Sequence, residues 1–433
     1  MIRKLFRDER GNVLIITAIA LPILLAAFGL GFETANWYQV RRQMQNAADS
    51  AAIAAATNGS ANYADEARAV AAQYGFQNGV NSTTVTVSNT ATCPAGGKTC
   101  YSVSIQRNVK LILAQLIGYT GGATIGSSPA QMLLSSAVAS QATQPRNYCL
   151  LALAGSGAAQ GIRANGVPKA DLNGCDVMSN TAAVCNGHNL NAGHGDAHGT
   201  STGCGTTQTS NVPVVSDPYA SRASNIPPNK CSSYYTKPSK KKDPNLPASN
   251  QLSGTISLSA PPALCGDVQL TGDVTLTGDS TVLVIYNGQL DLNGYTIKTA
   301  SGKSATIIFS GDNTAGYTHG PTGSGTIDIA APTSGNWAGV AMYQDPSLTS
   351  GVDISEAGNQ PTWKITGLVY LPHSNVTFSG AVNKSSNGKS CFVMVVDNVT
   401  FNGTGSILAQ GECNQAGLTM PQSQIPSRGK LVS

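Results

Sequence analysis

An uncharged run of twenty residues near the N-terminus, residues 13–32, constrains the fold of this chain more than any other feature. As an α-helix at about 1.5 Å per residue, the run would be about 30 Å long, which is the thickness of a bilayer core. The next residues, 33–56, are rich in alanine and contain neither proline nor glycine, so the helix is expected to continue. We therefore predict one long helix that is a transmembrane helix over residues 13–32 and extends beyond the membrane.

Apolar and small residues recur along this helix at alternating steps of three and four, which places them on one face. The series consists of Ile16, Ile19, Ile23, Ala26, Leu30, Glu33, Trp37, Val40, Met44, Ala47, Ala51 and Ala54. Its one carboxylate, Glu33, falls at the outer edge of the span, where a charge is costly unless it is solvated or paired. Two interpretations follow: Glu33 reaches interfacial water, or it pairs with a cation on a neighbouring helix.

The residues around Glu33 suit contact with lipid headgroups and with a second helix. Trp37 lies where an interfacial aromatic anchor is expected, and the small residues farther along would let another helix approach closely. The candidate residues for the membrane interface and a partner helix are therefore Glu33, Trp37, Arg41, Arg42, Ala47 and Ala51.

The distribution of charges and cysteines predicts which side of the membrane each part occupies. Four basic residues lie within residues 3–10, before the span, whereas only Arg41 and Arg42 follow it closely. The positive-inside rule then places residues 1–12 in the cytoplasm and the bulk of the chain outside. All ten cysteines follow the span, and an even number in an oxidising compartment indicates disulfides. A cleaved secretory signal is the competing interpretation of the apolar run.

Several segments of this sequence resemble one family of proteins. They are Arg-Asp-Glu-Arg-Gly at 7–11, Leu21-Pro22 within the span, Glu33, and Arg-Arg-Gln-Met-Gln-Asn-Ala-Ala-Asp-Ser-Ala-Ala at 41–52. Together they resemble the N-terminal segment of TadG-like proteins, which belong to the Flp-type tight-adherence (Tad) pilus-assembly systems of bacteria. Residues 148–153, 331–339 and 367–372 resemble landmarks of long members of the family. The Asp-x-Ser-x-Ser motif of the family's metal-dependent adhesion domain is not found in this sequence, so that activity is not inferred.

The resemblance implies a single-pass protein of the bacterial inner membrane that contacts other pilus-assembly proteins through its N-terminal helix. It also implies a small pilin-like α+β module over residues 33–145. The residue pattern agrees with this module, because it predicts a short helix at 63–74 and strands at 83–88, 101–106 and 132–140. Residues 109–117 fit either a helix or a buried strand.

The second half of the chain is predicted to be rich in β-structure. Residues 146–250 form a Cys/Gly-rich β and loop region, and residues 251–415 contain an internal repeat. The segment Asn-Val-Thr-Phe-Ser-Gly at 375–380 recurs as Asn-Val-Thr-Phe-Asn-Gly at 398–403, a period of 23 residues, and related segments occur at 268–272, 274–278 and 289–294. Short strands repeated at this spacing predict an irregular parallel β-helix; a jelly roll or sandwich is the alternative. Residues 416–433 are expected to form a C-terminal tail, and the fold class is α+β.

The simplest disulfide pattern joins cysteines that follow one another in the sequence, although ten cysteines allow many others. Cys391 and Cys413 are 22 residues apart, nearly one repeat, which would bring them side by side. The predicted pairs are Cys93–Cys100, Cys149–Cys175, Cys185–Cys204, Cys231–Cys265 and Cys391–Cys413.

Two groups of residues could support chemistry, but a structural interpretation is preferred for both. His188, His194, His198 and Asp196 have the composition of a metal site, although their Gly-rich surroundings favour a polar loop closed by a disulfide. Asp267, Asp273, Asp279 and Asp291 could serve a glycosidase, but three of the four follow glycine, where Asp serves turn geometry. We therefore predict no catalytic residue, no metal and no cofactor.

Composition bounds the function further. Only 11% of residues are charged and the net charge of +4 is spread thinly, which gives no support to nucleic-acid binding. The favoured function is a membrane-anchored, non-enzymatic component of a Flp/Tad-type pilus-assembly system with an extracytoplasmic β-rich domain. The alternatives are a membrane-tethered carbohydrate-active β-helix enzyme and a surface adhesin that binds glycans.

Overall fold

The computed structural model describes residues 9–59, 61–93, 99–155, 160–166, 169–172, 175–239, 245–257, 263–312, 317–348, 353–354, 362–379, 391–402, 406–408 and 413–432. The chain divides into two compact units. The first consists of Met1–Gln144 together with Pro426–Ser433, and the second is Pro145–Ile425.

The helices are α1 (Glu9–Asn58) and α2 (Tyr63–Gln73), and short 3-10 helices occupy Ala114–Ile117, Ala220–Asn225, Ala248–Asn250 and Cys413–Ala416. The strands are β1 (Thr83–Ala91), β2 (Cys100–Lys110), β3 (Ala123–Ile125), β4 (Ser128–Ala152), β5 (Ile162–Asn165), β6 (Lys169–Asp171), β7 (Asp176–Ser179), β8 (Ala183–Asn186), β9 (His194–Ala197), β10 (Ser201–Thr202), β11 (Thr207–Thr209), β12 (Gln251–Ile256), β13 (Leu264–Cys265), β14 (Val268–Leu276), β15 (Thr281–Tyr286), β16 (Leu290–Asp291), β17 (Thr296–Thr299), β18 (Ala305–Ser310), β19 (Pro321–Thr322), β20 (Thr326–Ala330), β21 (Val340–Gln344), β22 (Asp353–Ile354), β23 (Thr362–Ser379), β24 (Phe392–Asn402), β25 (Ser406–Leu408) and β26 (Gln422–Leu431).

Helix α1 is the continuous helix that the sequence predicts, 50 residues long. Its part Ile16–Asn58 is long and apolar enough to cross a membrane, as judged by length and composition. Large apolar side chains in the N-terminal half, such as Ile19, Leu24 and Phe28, are 63%, 64% and 77% exposed. The predicted long apolar helix is therefore confirmed, and most described side chains of its apolar half are exposed.

The C-terminal half of α1 packs on an antiparallel sheet within the first unit. Strand β2 pairs with β1 on one side and with β4 on the other. The core of this unit consists of small residues from α1 and larger ones from the sheet, including Met44, Ala47, Ala48, Ala51, Ala52, Ala55, Val85, Tyr101, Val103, Ile105 and Leu133. Alanine lets a helix lie close to a sheet, so the alanine-rich stretch buries its small face there.

Two segments of the first unit differ from the sequence expectation. Residues 109–117, expected to form one helix or strand, contain the end of β2 and the 3-10 helix Ala114–Ile117. The segment expected to be a tail contains β26, and the amide of Val432 donates to the carbonyl of Val138 at 2.9 Å. Main-chain pairing of this kind needs no particular side chain, which is why the polar sequence of β26 gave no strand signal.

The second unit is built from parallel strands. One ladder joins β12, β14, β17, β20 and the start of β23, and another joins β13, β15, β18, β21, β23 and β24. The predicted β-rich domain with a parallel sheet is confirmed. A jelly roll or sandwich needs antiparallel neighbours. In the part of this unit that the structure describes, each pairing among the strands from β5 through β25 is parallel instead.

Strand β23 belongs to both ladders, and the chain changes ladder at Gly367. This residue has a φ of 120°. A Cβ added there would lie 2.6 Å from the Cβ of Ala331 and 2.8 Å from the carbonyl oxygen of Gly339. Both the backbone conformation and the close approach therefore require glycine.

The chain does not build these ladders in sequence order. Strand β24 pairs with β4 (Met394 opposite Leu150) and with β5 (Asn402 opposite Asn165). Asn402 and Asn165 are 237 residues apart in the sequence, yet the Asn165 amide donates to the Asn402 side-chain oxygen at 3.2 Å. The last long strand of the unit thus closes on its first strands.

A segment between β11 and β12 crosses the parallel strands and is fixed by buried tyrosines. The Tyr370 hydroxyl donates to the Asp217 carboxylate at 2.6 Å, and that of Tyr343 donates to the carbonyl of Tyr219 at 3.0 Å. The Tyr286 hydroxyl donates to the carbonyl of Pro227. Burial raises the pKa of Tyr343 and Tyr370, so these hydroxyls keep the protons that they donate.

Candidate membrane and partner-binding site

Glu33, the carboxylate singled out at the edge of the apolar run, is only 3% exposed. Its Oε1 accepts hydrogen bonds from the amides of Ile112 (2.5 Å) and Leu113 (3.2 Å), and its Oε2 accepts one from the amide of Ala114 (2.5 Å). These amides precede or begin the 3-10 helix Ala114–Ile117, where backbone donors have no partner within the helix. A carboxylate that accepts several amide hydrogen bonds is compensated for its loss of water.

This geometry corrects both interpretations of Glu33 drawn from the sequence. The carboxylate is satisfied neither by interfacial water nor by a cation on a neighbouring helix, but by three backbone amides of its own chain. The partner segment is almost eighty residues away in the sequence, so helical periodicity alone could not reveal it. The one signal in the sequence was that residues 111–145 contain no charged residue, so this segment could offer Glu33 only uncharged partners.

Trp37 and the two arginines occupy different surroundings. The Trp37 ring is half-buried with its centroid 5.9 Å from that of Tyr119. Its indole Nε1 is buried and has no hydrogen-bond partner among the described residues. The side chains of Arg41 and Arg42 are exposed, and the carbonyl of Arg41 accepts a hydrogen bond from the Ser135 hydroxyl at 3.2 Å. Trp37 therefore packs within its own unit, and the arginines face outward.

Ala47 and Ala51, expected to receive a partner helix, are fully buried. They belong to the core formed by α1, α2 and the antiparallel sheet of the first unit. The face that the sequence offered to another helix is thus covered by the chain's own sheet. Of the six candidate residues, the structure leaves only the arginines exposed on the part of α1 that follows Glu33.

The structure joins all ten cysteines in five disulfides. They are the five pairs expected from the sequence: Cys93–Cys100, Cys149–Cys175, Cys185–Cys204, Cys231–Cys265 and Cys391–Cys413. The Cα atoms of each pair lie between 4.7 and 5.7 Å apart, within the usual range for a disulfide. The bond between Cys391 and Cys413 joins positions that are 22 residues apart, nearly one repeat.

The histidine segment lies in β8–β10 and their connections instead of one polar loop. His194 Nδ1 is 3.0 Å from an Asp176 carboxylate oxygen, and His198 Nδ1 is 2.9 Å from the carbonyl of Val212. Asp196 is buried and accepts from Arg146 at 2.6 and 2.7 Å and from the Tyr148 hydroxyl at 2.8 Å. Among the described residues, no group of three His, Cys, Asp or Glu side chains could hold a metal ion.

The four aspartates considered for glycoside hydrolysis each have a partner within the protein. Asp267 accepts from the amide of Lys237 at 2.7 Å, and Asp291 forms an ion pair with the Lys237 ammonium at 2.5 Å. Elsewhere, Asp273 accepts from the amide of Thr296, and Asp279 pairs with Lys303. Asp267 and Asp279 lie between strands, which is the turn role that the glycine context indicated, whereas Asp273 lies within β14 and Asp291 within β16.

The N-terminal segment also matches a known family. Residues 11–72 match the family model described as Flp pilus-assembly TadE/G-like. The chain carries a TadE/G-like domain. This domain extends from the start of the apolar run through α1 and into α2, and it contains Glu33 and the alanine-rich stretch. The N-terminal part of the resemblance to TadG-like proteins is therefore confirmed, whereas the resemblance of residues 148–153, 331–339 and 367–372 lies outside the match.

No curated protein and no solved structure matches the chain. The matched range contains an apolar helix that is long enough to cross a membrane. These two findings fit a membrane-anchored pilus component.

Proposed function

We propose that this protein is a membrane-anchored, non-enzymatic component of a bacterial Flp/Tad pilus-assembly system. The observation that carries the proposal is the TadE/G-like domain at residues 11–72, which includes the apolar half of α1. In this function α1 holds the protein in the inner membrane as a single-pass anchor, and it contacts other assembly proteins near the membrane. The rest of the chain is presented on the far side.

The proposed orientation has the N-terminus in the cytoplasm. The part of the first unit that follows the apolar run and the whole second unit then lie in the periplasm or outside the cell. Four basic residues before the apolar run against two close after it support this orientation. The five disulfides support it independently, because disulfides persist in oxidising compartments.

The second unit is, in this proposal, an irregular parallel β-helix that serves as the presented domain. Support comes from the parallel register of its ladders and from residues 375–379, which pair in direct register with the repeated segment at 398–402. A stacked arrangement buries the inward residues of each turn against the next turn. The fixed partners of Asp267, Asp273, Asp279 and Asp291 support a structural role for the unit and not a hydrolytic one.

Fractionation of cells with an antibody against the second unit tests the proposal. The protein should be recovered with the inner membrane, and chemical crosslinking there should join it to other pilus-assembly proteins. A reporter that is active only in the cytoplasm should be silent when fused after Ser433 and active when fused before Met1. Recovery in the soluble cytoplasm, or activity of the fusion after Ser433, would contradict the anchor or its orientation.

A further inference from the structure

A short apolar segment of the first unit, residues 112–119, lies exposed beside the outer end of the apolar half of α1. Ile112, Leu116 and Ile117 are 64%, 79% and 49% exposed. Tyr119, at the end of the segment, is 42% exposed. Isolated exposed apolar residues are ordinary, but a contiguous group of large ones marks a binding surface.

The position of this segment along α1 is fixed by contacts to Gly29 and Glu33. A Cβ added at Gly29 would lie 3.1 Å from the Cβ of Leu113, so the segment packs directly on the helix there. Gly29 belongs to the uncharged run 13–32, and Glu33 follows it immediately. When α1 spans a bilayer, residues 112–119 are therefore brought to the depth of the outer headgroups and the adjoining acyl chains.

Six of the eight backbone amides of the segment donate to acceptors of the protein, as a lipid environment requires. Glu33 accepts from the amides of Ile112, Leu113 and Ala114. The amides of Leu116, Gly118 and Tyr119 donate to carbonyls within residues 113–115 at 3.0 to 3.1 Å. In water such donors need no protein partner, whereas near hydrocarbon each unsatisfied group costs several kcal/mol.

The charge pattern agrees with contact to lipid. No charged residue occurs between Lys110 and Arg146. No charged side chain of the segment would therefore have to leave water when the segment enters the interface. The one carboxylate next to the segment, Glu33, is already turned inward onto the amides. Tyr119 ends the segment with the amphipathic side chain that is typical of a membrane–water boundary.

From these observations we propose that residues 112–119 form a second membrane contact, which inserts into the outer leaflet beside α1. The occupant of the exposed surface is lipid, because the surface is continuous with the part of α1 that spans the bilayer. Segments of this kind lie about 5–10 Å into the headgroup and acyl boundary. With two contacts instead of one, the first unit would stand on the membrane in a fixed orientation. The inference rests on the membrane anchor of the proposed function.

Site-specific fluorescence in vesicles tests this contact. Because all ten native cysteines are paired, a single added cysteine can be labelled selectively with an environment-sensitive dye. Three variants of the full chain are compared: L116C as the test, I19C as a lipid reference within the apolar run, and N89C as an exposed reference on β1. Each is reconstituted in phosphatidylcholine–phosphatidylglycerol vesicles, with and without brominated acyl chains that quench the dye.

The dye at position 116 should show blue-shifted emission and be quenched by brominated lipid, as the dye at position 19 is, while the dye at position 89 should show neither effect. Quenching at 19 with no quenching at 116 would overturn the second contact and leave the anchor intact. Absence of quenching at 19 would overturn the anchor, and with it the proposed function.

A second variant separates lipid from a protein partner. Leu116→Gln with Ile117→Gln changes only exposed side chains, so the first unit should keep its fold. In vesicles that contain no other protein, the amides of residues 112–119 should exchange hydrogen faster in this double variant than in the unaltered protein. An equal exchange rate in vesicles, with a difference only when pilus-assembly proteins are added, would show that a protein covers the segment and would overturn the proposal.

Discussion

The rings of Phe378 and Phe401 stack with their centroids 5.1 Å apart and their planes 10° apart. Phe378 lies opposite Phe401 in the parallel pairing of β23 and β24, where Asn375 and Asn398, 23 residues apart, are also partners. The rings of Trp363 and Phe378 are nearly perpendicular, with their centroids 6.2 Å apart. The sequence period is therefore also the step from one strand to its neighbour, and identical residues of the repeat meet in the core.

Removal of one ring from this stack should destabilise the second unit strongly. Phe401→Ala deletes a fully buried ring and should lower the free energy of unfolding by about 3–5 kcal/mol. The comparison is Tyr295→Ala, which removes a ring that is 38% exposed and should change stability by about 1 kcal/mol or less. Denaturant unfolding of the purified protein in detergent measures both. Equal effects of the two substitutions would contradict the stacked core.

Loss of the Glu33 carboxylate should open the segment that it holds. Glu33→Ala leaves the amides of Ile112 and Ala114 without their acceptor, and the amide of Ala114 is buried, which should cost about 2 kcal/mol locally. The exchange of these amides should then be roughly thirtyfold faster. Thr34→Ala is the control, because the Thr34 hydroxyl is exposed and bonds only within α1. Unchanged exchange in Glu33→Ala, measured by mass spectrometry, would show that the three hydrogen bonds contribute nothing to order there.

The buried ion pair between Arg146 and Asp196 should behave unlike the exposed pair between Lys303 and Asp279. Asp196→Asn leaves a guanidinium that is 18% exposed beside a neutral group, which should cost about 3–5 kcal/mol. Asp279, in contrast, is 84% exposed, and Asp279→Asn should cost about 1 kcal/mol or less. Thermal and denaturant unfolding compare the two variants directly. A similar loss in both would mean that Arg146 finds water or another partner.

The buried imidazole of His319 should make stability depend on pH. Burial lowers the pKa of His319 in the folded protein, so on acidification the unfolded chain takes up this proton first, near pH 6.5. The contribution of His319 is therefore complete above about pH 6.5 and is lost as the pH falls through the lowered folded-state pKa. His319→Gln should remove this part of the decline in stability below about pH 6.5. Identical slopes of unfolding free energy against pH in both proteins would contradict the prediction.

Several features could be read from neighbouring residues alone. The uncharged run and the alanine-rich stretch predict one long helix, and α1 is that helix. The repeat at 375–380 and 398–403 predicts strands one turn apart, and its described residues pair in direct register. The five disulfides each join cysteines that are consecutive in the sequence, the simplest of the many pairings that ten cysteines allow. Each of these features depends on spacing along a short piece of chain, and hydrophobic burial converts such spacing directly into structure.

Other features were decided only by tertiary structure. The acceptor role of Glu33 depends on amides almost eighty residues away, and any residue except proline carries such an amide. Ala47 and Ala51 could pack equally well against a neighbouring helix or a sheet. In the folded chain they pack against the sheet of their own unit. The closure of β24 onto β5, across 237 residues, likewise depends on where two remote strands come to lie. Backbone hydrogen bonds and close packing of small residues are nearly independent of side-chain identity, so the sequence supplies the donors and the small faces, and only the folded chain selects their partners.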